Sequence, residues 1–276
     1  SVGHYLPEFT GNGKEKITVR DLLLHVSGIR DEYKTTGTEE EIWKSICNTE
    51  VKNRPGKKYE YSCLSYVILG KLIERISGEP LCVFAKKNIY DLLCMKDTGF
   101  QPNEKLRART APTEKREGKW LKGNVNDWRN AAMGGGAGNA GLFSTGIDLA
   151  ILAQVLLNHG IYTDSKGIQK RLFCEETFQK MVAPYKVPAG YRGLSWDKAT
   201  GKPNLPPEFF PTAIGHGGHT GTSFLVDPER DLFVIVLTTR LHLNPKNPNI
   251  YPTAGEIARI TAKMFQAADQ PKNRID

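Results

Sequence analysis

The sequence predicts an α+β fold, an antiparallel sheet flanked by helices beside a mainly helical region. Three observations carry that expectation. Apolar residues recur at three- and four-residue spacing through most of the chain up to Pro188. Beyond Pro188 the period switches to two. One helical pattern then closes the sequence instead of alternating with strands.

The elements follow in order. "ITVRDLLLHVSGI" (17–29) offers Thr18 as an N-cap, apolar Val19, Leu22, Leu23 and Val26, and Gly28 as a helix stop. "EEEIWKSIC" (39–47) reads as a second helix. "YSCLSYVILGKLIERISGEP" (61–80) reads as a third, with Ser62 as its cap, Leu64, Val67, Ile68, Leu72 and Ile76 on its apolar face, and Gly78 to Pro80 as the break. A short helix over 80–90 comes next. Residues 101–140 are charged, glycine-rich and aperiodic, so a long structured loop is expected. Helices are expected again in "GIDLAILAQVLLNHG" (146–160) and "CEETFQKMV" (174–182). Residues 191–197, 213–218, 222–227 and 232–239 alternate as strands, with "DPERD" (227–231) as a turn. A final helix over 254–267 presents Ile257, Ile260, Met264 and Phe265 for burial. We expect one domain over 1–276, mainly helical over 1–188, with strands and the C-terminal helix over 189–276.

Composition narrows the function. Of 276 residues, 39% are hydrophobic and 25% charged, as in an ordinary globular protein. No apolar run has the length of a membrane span. The net charge of +8 comes from scattered Lys and Arg without aromatic interleaving, which argues for a solvated surface and against a nucleic-acid partner. Five cysteines without CxxC spacing read for the most part as small buried hydrophobes rather than a disulfide framework or metal set. The opening "SVGHYLPEF" has neither an initiator Met nor the pattern of a leader, as expected of a mature form or a fragment.

Three motifs match only formally. Gly136-x-Gly138-x-x-Gly141 lacks the preceding strand that a dinucleotide site needs. His216 and His219 have helical ligand spacing in a segment that reads as strand and turn, so no metal is expected. Ser195-Trp196-Asp197-Lys198 fits the S-x-x-K pattern of serine nucleophiles. That chemistry needs one helical turn between the two side chains, whereas here they fall in an expected strand and face opposite ways.

Five blocks in order give the chain a resemblance. "YLPEF" with "ITVRDLLLHVSGI", "RPGKKYEYSCLSYVILGKLIERISGEPL", "LLCMKDTGF", "AGNAGLFSTGIDLAILAQVLLNHG" and "IGHGGHTGTSFLVDPERDLFVIVLTTR" resemble the serine β-lactamase-related family. That family includes class C β-lactamases, D-alanyl-D-alanine carboxypeptidases, esterases and peptidoglycan-fragment amidases. The resemblance implies the β-lactamase/transpeptidase-like fold and acyl-enzyme hydrolysis of an amide or ester, without metal or organic cofactor. It further implies a small-molecule or peptidoglycan-derived substrate and a periplasmic or extracellular setting.

By that resemblance Tyr61 takes the place of the general base. A free phenol titrates near 10, so this role requires a neighbouring cation. Cys63 stands where the family usually has an asparagine that binds the substrate's amide carbonyl, and a thiol is a poor replacement for a carboxamide. His216, Gly217 and Gly218 match the His-x-Gly form of the third motif. There His216 lies near the reacting centre, the glycines leave the strand bare for substrate, and the His219 N–H serves an oxyanion hole. The loop "GGGAGNAGLFST" reads as a close-packing segment with no catalytic role.

The nucleophile is the missing part. In the family it lies on a helix upstream of the "YLPEF" block, preceded by two strands of the sheet. Here only Ser195 has a lysine three residues on. Two readings follow: the nucleophile is supplied by a segment outside this chain, or the protein is a non-catalytic pseudoenzyme that binds peptidoglycan-like ligands.

Overall fold

A computed structural model describes residues 1–198, 205–206, 208–209, 211–242, 246 and 250–268, the last three without side-chain detail. These form two compact units, Ser1–Asp148 with Lys186–Gly190, and Leu149–Tyr185 with Tyr191–Asp276.

The first unit is built from short, well-capped helices. Helix α1 (Val19–Leu23) starts at a capping box, with Thr18 Oγ1 accepting from Asp21 N at 3.1 Å and Asp21 Oδ2 accepting from Thr18 N at 2.8 Å. Helix α2 (Glu39–Cys47) uses the same device between Thr38 and Glu41. Helix α3 (Cys63–Ser77) is capped by Ser62, whose Oγ accepts from Ser65 N at 3.2 Å, and ends at left-handed Gly78. Helix α4 (Leu81–Ala85) runs on into a π-helical turn, Lys86–Tyr90. The core joins Val2, Leu6, Phe9 and Ile17 to Leu22, Ile42, Ile46, Leu64, Val67 and Ile68. Apolar faces of short helices are thus buried together, since none is long enough to be stable alone.

Residues 101–140 carry more regular structure than their aperiodic sequence implies. After strand β1 (Gly99–Phe100) come α5 (Glu104–Arg109), the hairpin β2 (Lys115–Arg116) and β3 (Lys119–Trp120), and α6 (Trp128–Ala132). Asn103 and Asp127 cap the two helices, accepting from Leu106 N at 3.0 Å and Asn130 N at 2.6 Å. Helices this short leave no periodic signature, only their caps. Strand β4 (Leu142–Phe143) pairs with β1, and helix α7 (Gly146–Leu157) follows.

The second unit contains the hairpin β5 (Ile161–Thr163) and β6 (Gln169–Arg171) and helix α8 (Glu175–Val182). The strands of the main sheet are β7 (Tyr185–Val187) and β8 (Gly190–Arg192), whose residues Lys186–Gly190 are grouped with the first unit, and β9 (Asp197–Lys198), β10 (Ile214–Gly217), β11 (Ser223–Asp227) and β12 (Leu232–Val236). Their order in the sheet is β12-β11-β10-β9-β8-β7. Neighbours from β8 to β12 pair antiparallel, with Ile214 opposite Val226 and Leu225 opposite Val234. The expected "DPERD" turn is a 3-10 turn, Pro228–Arg230, closed by Asp231 in the left-handed region.

Both faces of this sheet are covered. Val226 and Ile214 pack with Ala153, Leu156, Phe178 and Val182 from α7 and α8. Leu225, Leu232 and Val234 pack on Ala258 and Ala262 of helix α9 (Tyr251–Ala268). Burial on both sides explains why β11 and β12 hold consecutive apolar residues, Phe224 to Val226 and Leu232 to Val236, in place of the expected alternation.

Three expectations need correction. The first helix ends at Leu23 rather than at Gly28, because His25 adopts a left-handed backbone, φ 57°, which breaks the helix. The strand expected over 191–197 is interrupted. Arg192 pairs with Asp197 across a tight turn closed by Gly193 N to Trp196 O at 3.0 Å, and Ser195 lies in that turn at φ 70°. Lys198 points its ammonium at Val182 O, 2.7 Å away, at the end of α8.

The third correction concerns α9. Ile257, Ile260, Met264 and Phe265 are 43%, 47%, 67% and 47% exposed, while Ala254, Ala258 and Ala262 are buried. Both stripes have helical spacing. The alanine stripe faces the sheet because small side chains let the helix approach it closely.

Candidate functional site

The site residues suggested by the sequence lie in both units, Tyr61 and Cys63 in the first and His216 to His219 in the second. Each group is described in its own unit.

Tyr61 and Cys63 flank Ser62 at the start of α3. The capping bond from Ser65 N fixes Ser62, so the flanking residues emerge from a defined helix end. Tyr61 is 53% exposed, with one ring face against buried His25, centroids 4.4 Å apart. Cys63 is half-buried among polar groups from distant parts of the chain. Burial pushes its thiol pKa up, the carboxylates of Asp127 and Asp31 add to this, and the Asn139 amide and Arg129 oppose it. The thiol therefore stays protonated near neutral pH.

The surroundings of Cys63 form a polar cluster that sequence spacing could not reveal. Arg129 Nη1 pairs with Asp31 Oδ2 at 3.1 Å, and its guanidinium lies 5.4 Å from the centre of the Tyr33 ring. Burial pushes the Tyr33 phenol up to about 12 despite Arg129. Asn139 arrives from the glycine-rich loop, where Asn130 Nδ2 donates to its Oδ1 at 3.0 Å. That loop packs against α3: a Cβ at Gly138 would come within 2.3 Å of Tyr66 O. Gly138 makes this helix contact, whereas a Cβ at Gly141 would instead meet Gly135 O at 2.5 Å, and the loop brings one amide side chain, Asn139, to Cys63.

In the second unit His216 and Gly217 close β10. His216 Nδ1 lies 2.8 Å from Gly217 O, and since a carbonyl only accepts, that nitrogen carries the proton in this contact. Gly218 N donates to Thr222 O at 2.8 Å, forming a turn that carries His219 at its exposed tip. Arg240 holds this tip, its Nε donating to His219 O at 2.7 Å and its Nη2 lying 3.3 Å from His219 Nδ1. Among the described residues, the His219 N–H meets no acceptor.

The glycines here have reasons internal to the chain. A Cβ on Gly217 would sit 2.6 Å from Cε1 of Tyr251, and one on Gly218 would sit 2.3 Å from Thr222 Oγ1. The side-chain space at these two positions is filled by Tyr251 and Thr222.

The site residues missed by sequence reasoning are His25, Asp31, Tyr33, Asp127, Arg129 and Asn139. They span more than a hundred positions, and only the packing of the loops on α3 collects them. His25 was hidden inside an expected helix.

The antiparallel sheet and its helices define an α+β class of protein, and comparison with known proteins agrees with that fold. The chain belongs to the Beta-lactamase family, whose model matches residues 1–259. A relative from Salmonella agona named "Putative D-alanyl-D-alanine carboxypeptidase" is 32% identical over 290 residues, covering 91% of this chain. The chain spans 66% of that relative's length. A relative of the same name from Salmonella enteritidis matches equally, at 32% identity over the same shares.

Solved structures share the fold. EstA from Arthrobacter nitroguajacolicus aligns with a TM-score of 0.72 at 18% identity, over 97% of this chain and 77% of its own. A β-lactamase/D-alanine carboxypeptidase from Yersinia pestis aligns with a TM-score of 0.66 at 21% identity, over 93% and 71%. A penicillin-binding protein homologue from Caulobacter crescentus aligns at 0.68 and 18%, over 86% and 69%.

Proposed function

We propose that this chain is part of a serine hydrolase that cleaves an amide or ester through an acyl-enzyme, with the nucleophilic serine and its lysine supplied by a segment outside residues 1–276. The single β-lactamase-like domain read from 1–276 is then incomplete. The observation that carries the proposal is the exposed Tyr61 phenol at the capped start of α3. A tyrosine fixed there can exchange a proton with a substrate group or a neighbouring serine. A free phenol titrates near 10, so a tyrosine becomes a base only beside a cation, a part that the nucleophile's lysine would play. The His219 N–H, without a protein acceptor among the described residues, is available to a developing oxyanion.

Substrate preference follows from Cys63. A neutral thiol is a weak hydrogen-bond donor, so an amide carbonyl is held less firmly there than by a carboxamide. Among a cell-wall peptide, a β-lactam and a small ester, the weaker hold at Cys63 favours the ester, whereas the relatives' name favours the cell-wall peptide and with it a periplasmic or extracellular setting. No metal or organic cofactor enters this mechanism.

Cys63 is also the observation behind a second reading, a non-catalytic protein that binds peptidoglycan-like ligands. Labelling of the full-length gene product with a fluorescent β-lactam or a fluorophosphonate, followed by digestion and mapping, separates the two. We expect the label on a serine outside 1–276, and Tyr61→Phe to slow labelling. Ligand binding without any labelled serine would sink the hydrolase reading.

A further inference from the structure

We propose that His25 is a positioning residue for Tyr61, its imidazole doing for the Tyr59–Ser62 segment what a neighbouring strand would otherwise do. The proposal rests on the reading of Tyr61 as a proton-transfer group and deepens it.

The segment ahead of α3 is neither helix nor strand, yet two of its amides are tied down, and both go to the same residue. Glu60 N donates to His25 O at 3.0 Å, and Ser62 N donates to His25 Nδ1 at 3.1 Å. Tyr61 lies between these two clamped amides, so its backbone is held on both sides. Its ring then lies over the imidazole, centroids 4.4 Å apart and planes inclined by 32°. Tyr66 packs at 5.1 Å and Tyr59 edge-on at 6.2 Å, so aromatic rings enclose the imidazole.

His25 is itself fixed. It is 1% exposed and sits in the left-handed region at φ 57°, a conformation that a bulky residue keeps only where its surroundings impose it. Tyr66 OH donates to Leu23 O at 3.2 Å, and Ser27 and Ser65 hydroxyls meet at 3.4 Å, pinning both flanks of His25 to α3. The Ser62 amide donates to Nδ1, so this nitrogen is unprotonated and the imidazole acts through its lone pair. A flat ring with an acceptor on one edge meets both demands. Phenylalanine lacks the acceptor, and alanine lacks the ring as well.

The test uses three substitutions. His25→Ala removes ring and acceptor, His25→Asn keeps an acceptor near the position of Nδ1 and tolerates the left-handed backbone, and His25→Gln moves the acceptor outward. In the full-length gene product, NMR of the Tyr61 ring and the Ser62 amide reads the positioning directly. His25→Ala and His25→Gln are expected to average the Tyr61 ring signals and speed Ser62 amide exchange, while His25→Asn keeps the amide protected.

In the full-length gene product, His25→Ala is expected to lower kcat on the order of 10²-fold with little change in KM, as misplacement of a reacting group does. His25→Asn recovers most of that loss. In a Tyr61→Phe background His25→Ala should have no further effect. Unchanged Tyr61 and Ser62 signals in His25→Ala, an undiminished kcat loss in the Tyr61→Phe background, or equal behaviour of the Asn and Gln variants would each overturn the proposal. Should His25→Ala not fold, the Asn and Gln pair decides the matter. Wild-type kcat in Tyr61→Phe alone would instead refute the proton-transfer role of Tyr61, and the NMR signals would still report whether His25 orders that ring.

Discussion

Asn130 donates its side-chain amide to Asn139 Oδ1 at 3.0 Å, and it reaches the carbonyls of Ala137 and Ala140 in the same loop at 3.0 and 2.9 Å. One fully buried side chain therefore shapes the loop that brings Asn139 to Cys63. Asn130→Ala leaves those acceptors without a donor, which costs about 1–3 kcal/mol for a buried group. Urea denaturation should show a lower midpoint at unchanged slope. An unchanged midpoint would mean that water replaces the amide without loss.

Gly217→Ala tests the close approach of Tyr251. The added methyl would overlap the phenol ring, and relief requires the half-buried Tyr251 side chain to shift. We expect a destabilisation of about 1–3 kcal/mol, as for overpacked sites. In a Tyr251→Ala background most of that penalty should vanish, so the double mutant loses less than the sum. Additive losses would show that the ring is not the obstacle.

Lys198 links stability to pH in the second unit. Burial lowers its ammonium pKa to about 8 from 10.5, against the pull of Asp227 and Glu229. Below pH 8 the folded chain holds a charge that the unfolded chain carries more cheaply. Between pH 8 and 10.5 the folded form has released this proton while the unfolded form still binds it, so stability rises with pH on this group's account. The full span corresponds to roughly 3 kcal/mol. Lys198→Met should therefore flatten the rise of unfolding free energy over pH 8–10.5 relative to wild type. Parallel pH profiles would show that Lys198 titrates normally.

The cysteines should differ in reactivity by environment. Cys174 stands at the N-cap position of α8 with its Sγ 3.2 Å from Thr177 Oγ1, and Thr177 lowers its thiol pKa. Burial raises Cys63, and pushes Cys47 up to about 11. Limited iodoacetamide treatment near neutral pH, with peptide mapping, should modify Cys174 before Cys63 and Cys47. Thr177→Ala should slow Cys174. Faster labelling of Cys63 would contradict the shielded site described for it.

Much of the local architecture was legible in residues a few positions apart. Thr18 with Asp21, Thr38 with Glu41, and Ser62 with Ser65 announce helix starts because the capping partners are three residues away. The strands β10, β11 and β12 were legible for a similar reason, as adjacent strands joined by short turns. The candidate site was legible only in part. Tyr61, Cys63 and the His216–His219 segment could be named from family blocks, whereas Asp31, Arg129 and Asn139 have no mutual spacing that a motif could capture.

The sequence by itself determined where most helices begin, which segments alternate as strands, and the family to which the chain belongs. Those properties depend on interactions within a few residues or on blocks preserved in order. Only the tertiary structure decided that α1 ends at Leu23, that the alanine stripe of α9 rather than Ile257, Ile260 and Met264 meets the sheet, and that His25 lies under Tyr61. Each of these depends on which distant surface a residue meets. Periodicity offers α9 two stripes, and it is the alanine stripe, whose small side chains allow a close approach, that packs on β11 and β12.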